Sequence, residues 1–118
     1  MSAPSGQLPG GQHARHRLDE VVHQPVRFSV LAALAAADEA EFSFVRDTVE
    51  VSDSVLSKQV TVLEEAGYVR VRKGAVGRRP RTWLALTADG RAAFAQHLAV
   101  LREIAGEQVA GQQVAADG

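Results

Sequence analysis

Between residues 52 and 82 lie seven cations, Lys58, Arg70, Arg72, Lys73, Arg78, Arg79 and Arg81, against three acids, Asp53, Glu64 and Glu65, for a local net charge of +4. The stretch 19–51 is the reverse: Arg27 and Arg46 stand against seven acids, a local −5. The formal total of −1 therefore hides a strongly polarised molecule. Cations gathered so densely serve a polyanion, because binding to phosphates draws on counterion release and only the cations that reach phosphates count. Beside them sits a set of groups that can hydrogen-bond at close range: Ser52, Asp53, Ser54, Ser57, Lys58, Gln59 and Thr61. Small hydroxyls, an amide and one ammonium allow a helix to approach base edges, whereas a bulky or acidic face would not. Asp53 is the exception, with a role as helix cap or as acceptor from a cytosine amino group.

Other chemistries are poorly supplied. The chain has no cysteine, which excludes disulfides, thiolate zinc sites and thiol redox switching. Its four histidines include His16 and His23, seven apart, and the distant His97. Closely spaced His and acid pairs are missing, so these read as solvated or core histidines, with no metal and no cofactor expected. No enzyme is expected either: the Gly74 to Gly77 segment is not a phosphate-cradling loop, and no nucleophile, base and acid can be read from spacing. Trp83 and Tyr68 read as packing residues at the base of a hairpin, since aromatics form only 5% of the chain and do not line one face. The longest apolar run, Val30 to Ala37, is far short of the roughly 20 residues that cross a bilayer. With no signal-peptide pattern at the N-terminus, the expectation is a cytoplasmic protein without a membrane partner.

The elements that must hold these groups follow from periodicity and punctuation. At 118 residues and 46% hydrophobic content the chain can build one ordinary domain. Residues 1–14 are rich in Gly, Pro, Ser and Gln and read as a mobile tail, residues 15–107 as the domain, and 108–118 as a second flexible tail. Leu18, Val21 and Val22 suggest a short helix that stops before Pro25, which opens the next. That second helix, 25–37, sets Val26, Val30, Leu31, Leu34 and Ala37 on one side. After the charged turn 38–41, Phe42 is placed on a short edge strand, and Ser43 caps a brief helix, 44–50. Ser52 caps helix 53–66, whose Leu56, Val60 and Leu63 face inward with Val55 and Val62 beside them, and Gly67 ends it. Val69 and Val71 alternate with Arg70 and Arg72 along a strand, Gly74 and Gly77 open a loop, and 82–86 returns. Thr87 caps a last helix, 88–106, which carries two apolar stripes: Phe94, Leu98, Leu101 and Ala105, and beside them Ala93, Val100 and Ile104. A helix packed on one small domain needs a single stripe, so the surplus argues for a second copy.

The run from Val51 to Phe94 resembles the winged-helix transcriptional regulators of the MarR and ArsR type, and most closely a compact subgroup of them. The specific pieces are Leu56-Ser57-Lys58, the run from Leu63 to Val69 through Glu64, Glu65, Ala66, Gly67 and Tyr68, Arg78-Arg79-Pro80-Arg81-Thr82, and Leu86-Thr87 before Gly90-Arg91. The likeness covers about residues 18–106. It implies an α+β, mainly α winged helix-turn-helix with about five helices and a two- to three-stranded antiparallel wing. It further implies a homodimeric repressor or regulator that binds a palindromic operator in double-stranded DNA. By position Ser54, Ser57, Lys58 and Gln59 would face the major groove, with Arg78, Arg79 and Arg81 on the flanking minor groove and phosphates and Lys73 beside them. The dimer interface would draw on Leu18, Val21, Val22, Phe94, Leu98, Leu101 and Ile104. Larger members have longer terminal helices with a pocket between them and the DNA-binding lobe; this chain is shorter, and a small-molecule effector stays unassigned. The rival reading is a winged helix used for protein–protein interaction, but such modules tend to lose the wing cations and the small polar face that this chain keeps.

Overall fold

The computed structural model describes Gln12–Asp117, with side chains through Gly106, so the tail expected at 1–14 lies almost wholly outside the described residues. Two compact units are distinguished: residues 19–95, and a smaller one in which residues up to Leu18 join the chain from Gln96 onward.

The larger unit opens on α1 (Glu20–His23), capped by Asp19, whose carboxylate accepts from the backbone N–H of Val21 at 2.9 Å. Pro25 begins α2 (Pro25–Ala35), where a missing N–H is no loss, and Gln24 Oε1 accepts from Arg27 N at 2.8 Å. There follow β1 (Ala40–Glu41), α3 (Phe42–Val49), α4 (Asp53–Glu65), β2 (Val69–Val76), β3 (Arg79–Leu86) and α5 (Ala88–Asp117). The three strands form one antiparallel sheet in the order β1-β3-β2, with Ala40 opposite Leu84 and Val69 opposite Leu86. Among the described residues this is the expected α+β winged helix-turn-helix, with five α-helices and a three-stranded sheet.

The core joins Val22, Val30, Leu31, Leu34, Val45, Leu56, Leu63 and Leu84, each at most 1% exposed. The inward positions of α2 and α4 are therefore those set by three- and four-residue spacing. Phe28 and Phe94 pack at the edge of this core with ring centroids 5.4 Å apart.

Several expectations are corrected. Phe42 is not on a strand: it is the first residue of α3, half-buried against the core, and Glu41 holds the extended cap position without a side-chain cap bond, so Ser43 is no cap. Helix α2 ends at Ala35, two residues early, as Ala37 N–H turns back to Leu34 O at 3.2 Å. Gly74 does not open a loop. The ladder runs through Gly74 opposite Arg81, Ala75 opposite Pro80 and Val76 opposite Arg79, and a two-residue turn at Gly77 and Arg78 closes it. Such turns need positive φ, which Gly77 supplies at 62°. Pro80 is tolerated inside β3 because β1 reaches only Trp83 and Leu84, leaving that side of the strand without a partner. Helix α5 runs on to Asp117, past the end near residue 106. Val22 is fully buried in the core and so cannot reach a second chain.

In the smaller unit, Ala14–Arg17 forms a 3-10 turn capped by His13, and Arg17 pairs with Glu103. Ala14, His97 and Val100 are buried there, at 0%, 1% and 0% exposed.

Candidate nucleic-acid interface

Helices α3 and α4 are joined by a tight turn at Glu50, which takes a left-handed φ of 64° while its N–H bonds to Arg46 O at 2.9 Å. Ser52 then caps α4: its Oγ accepts from Val55 N at 3.2 Å and lies 3.2 Å from Ser54 Oγ. Because Leu56, Val60 and Leu63 anchor one side of α4 in the core, the opposite side must face outward. Ser52, Asp53, Ser54, Val55, Ser57, Lys58 and Thr61 are all exposed. The helix thus presents small hydroxyls and one ammonium at its N-terminal end, where its dipole also favours phosphate.

Three of the expected site residues on α4, Asp53, Gln59 and Thr61, are held by partners within the protein. Asp53 does not cap α4; its carboxylate accepts from Arg46 Nη1 at 2.9 Å. Arg46 also donates to Asp47 at 2.8 Å, which holds the Asp47 carboxyl below the usual carboxylate range and raises the already high pKa of Arg46. The single acid at the front of α4 is therefore paired with a guanidinium that it shares with Asp47. Gln59 is half-buried, and its amide oxygen accepts from Arg27 Nη1 at 2.8 Å. Arg27 in turn donates through Nε to Val21 O at 2.6 Å, so one guanidinium braces α1 against α4. Thr61 returns its hydroxyl to Ser57 O at 3.0 Å.

The hairpin sorts its cations by position. Arg72 and Trp83 are directly paired across the ladder, and the guanidinium lies 4.1 Å from the indole centroid. Glu39 fixes it there with two bonds, 3.0 and 2.7 Å, and is itself held below the ordinary carboxylate range by that arginine. Trp83 and Tyr68 are thus packing residues, the latter donating its hydroxyl to Asp19 at 2.6 Å. Arg81, at the wing root, turns toward Glu41 at 3.6 Å, and its buried Nε has no hydrogen-bond partner. Lys58, Arg70, Lys73, Arg78 and Arg79 are exposed and stand in no ion pair among the described residues. Between α4 and the sheet, Ser57, Thr61, Lys73 and Thr82 line a groove of about 330 Å³, which brings helix and wing onto one concave surface.

Sequence reasoning missed Arg27, Arg46 and Arg72. Only Arg72 left a signal: strict alternation along β2 and β3 sets it opposite Trp83 once the turn is placed at Gly77. Of the expected dimer residues other than Val22, Leu18, Val21, Phe94, Leu98, Leu101 and Ile104 are half-buried in the single chain. His97 is buried while His16 and His23 are exposed, and no three His or acid side chains among the described residues are grouped as a metal site requires.

Comparison with known proteins agrees with this geometry. The family described as a winged helix DNA-binding domain matches residues 26–105. A transcriptional regulator homologue of Pyrococcus horikoshii superimposes with a TM-score of 0.71 at 24% identity, covering 76% of this chain and 89% of that one. A MarR-family transcriptional regulator of Silicibacter pomeroyi gives 0.59 at 22% identity, over 81% of this chain and 64% of that one. The regulator MOSR of M. tuberculosis, solved in complex with DNA, gives 0.61 at 26% identity, over 83% and 73% of the two chains.

Proposed function

The chain belongs to the winged helix DNA-binding domain family, and from that premise we propose that it is a homodimeric transcriptional repressor of palindromic operators. One observation carries the reading: the small-hydroxyl front of α4 is flanked by cations on helix and wing that stand in no ion pair with an acid among the described residues. Ser54, Ser57 and Lys58 enter the major groove and read base edges, while Lys73, Arg78 and Arg79 follow phosphates and the flanking minor groove. Gln59 and Arg81 serve more as anchors, because Arg27 and Glu41 already engage them. A regulator solved with DNA, MOSR, supports the partner class. The second copy is reached through α5, where Leu98, Leu101 and Ile104 recur every third residue and stay half-exposed. No helix among the described residues is long and apolar enough to cross a membrane, in keeping with a protein that works where the DNA is.

The test is selection of bound sites from a random-sequence duplex pool, followed by gel shifts of the recovered site across a salt series. Expected are an inverted repeat and an affinity that falls steeply as salt rises. Absence of salt-dependent duplex binding would overturn the reading in favour of a protein-interaction module.

A further inference from the structure

Among the described residues Val55 is a large apolar side chain left partly open on the helix proposed to meet DNA. It sits in the first turn of α4, 40% exposed, between Ser54 and Lys58, which are also exposed. Folding explains it only in part, since 40% of its surface is left open. The buried stripe of α4 is Leu56, Val60 and Leu63, and Val55 lies outside it. The cap bond from Ser52 reaches only the Val55 backbone N–H, so any side chain would accept it. Helix propensity does not explain it, since valine is poorer than alanine or the straight-chain polar residues at an exposed helical position. What valine does supply is two methyl groups held in one dominant rotamer, an apolar surface that needs almost no further ordering on contact.

The edges of the bases offer one apolar feature in the major groove, the C5-methyl group of thymine. We infer that Val55 is a specificity-determining residue that packs on a thymine methyl in each half-site, beside the hydrogen-bonding contacts of Ser54, Ser57 and Lys58. This rests on the proposed reading of α4 as the groove-facing helix, and it adds a requirement for thymine that polar contacts alone would not impose.

The probe is the duplex recovered by site selection, with each thymine replaced in turn by deoxyuridine, which keeps every hydrogen-bonding group and lacks only the methyl. For the wild-type chain, one symmetry-related thymine should be sensitive, its replacement weakening binding about fourfold per half-site, the value of one buried methyl-sized group. Val55→Ala should bind the thymine duplex less tightly and lose the difference between thymine and deoxyuridine there. Val55→Thr, which keeps one methyl at nearly the same shape, should retain part of it. Wild-type binding indifferent to every replacement would overturn the inference while leaving the DNA-binding reading intact, and so would a Val55→Ala variant as sensitive as the wild type. Failure to bind any selected duplex would overturn both.

Discussion

Under the proposed function, Arg27 would matter to binding without touching the ligand, through the half-buried Gln59 it holds on α4. Its guanidinium spans Val21 O, Glu20 O and Gln59 Oε1, at 2.6, 3.3 and 2.8 Å, a fork that an ammonium cannot reproduce. Arg27→Lys should therefore weaken binding to a selected duplex with no change in the salt slope, because no phosphate contact is lost; gel shifts across a salt series check it. Tyr68 makes a comparable link to Asp19, and the carboxylate beside its hydroxyl, together with burial, pushes its pKa up to about 12 from an ordinary 10.0. A raised pKa means that the folded state favours the neutral phenol, so the contribution is complete below pH 10 and is lost as pH climbs through about 12. Tyr68→Phe should cost about 1 kcal/mol at neutral pH and should flatten the loss of stability on the alkaline side, as read by denaturant melts at several pH values.

At the level of elements, the proposed function divides the labour between helix and wing. Arg78→Ala and Arg79→Ala remove cations at the tip of the hairpin, and each should weaken all duplexes alike while lowering the salt slope by about one per lost phosphate contact. Ser57→Ala and Lys58→Ala should instead cost on the order of 1–3 kcal/mol on the selected site and much less on a scrambled one. If wing variants altered base preference and helix variants did not, the assignment of readout to α4 would be wrong. The seating of α5 is equally specific. Thr87 Oγ accepts from Gly90 N at 2.9 Å and donates to Gly67 O at 2.6 Å, drawing the start of α5 onto the end of α4. A Cβ at Gly90 would lie 1.9 Å from Tyr68 O, backbone that cannot swing aside. Gly90→Ala should therefore destabilise the fold by about 3 kcal/mol or more, visible as a large drop in the urea midpoint. Gly106, with nothing within 4 Å of an added Cβ, should tolerate the same change.

For the molecule as a whole, the expectation is a two-fold dimer whose recognition helices meet half-sites about one helical turn, roughly 34 Å, apart. Leu101→Asp on α5 would place a carboxylate at the seam, where leaving water without a partner is costly. It should shift light scattering from dimer to monomer and reduce affinity for the inverted repeat more than for an isolated half-site. A wild-type chain that scatters as a monomer at micromolar concentration would rule out this assembly.

The amphipathic stripes of α2 and α4, the caps at Ser52 and Thr87, the stop at Gly67 and the polarised charge were all legible in the residues, because each depends on neighbours three or four positions away or on local backbone geometry. Pairing across distance was not. Whether Phe42 would start a helix or end a strand depended on which surface it packs against, and the length of the hairpin on a register that only β3 could impose. Likewise, seven cations in one stretch could be counted, but which of them remain unpaired among the described residues depended on Glu39, just before β1, and Glu41, within it, being brought to Arg72 and Arg81. Val22 went to the core and Val55 to the surface for the same reason: a period marks a face, and the tertiary contacts decide how wide the buried part of that face is. Charge density and helix faces are local properties of a chain, whereas ion pairs, buried width and groove shape arise only when separate elements are brought together.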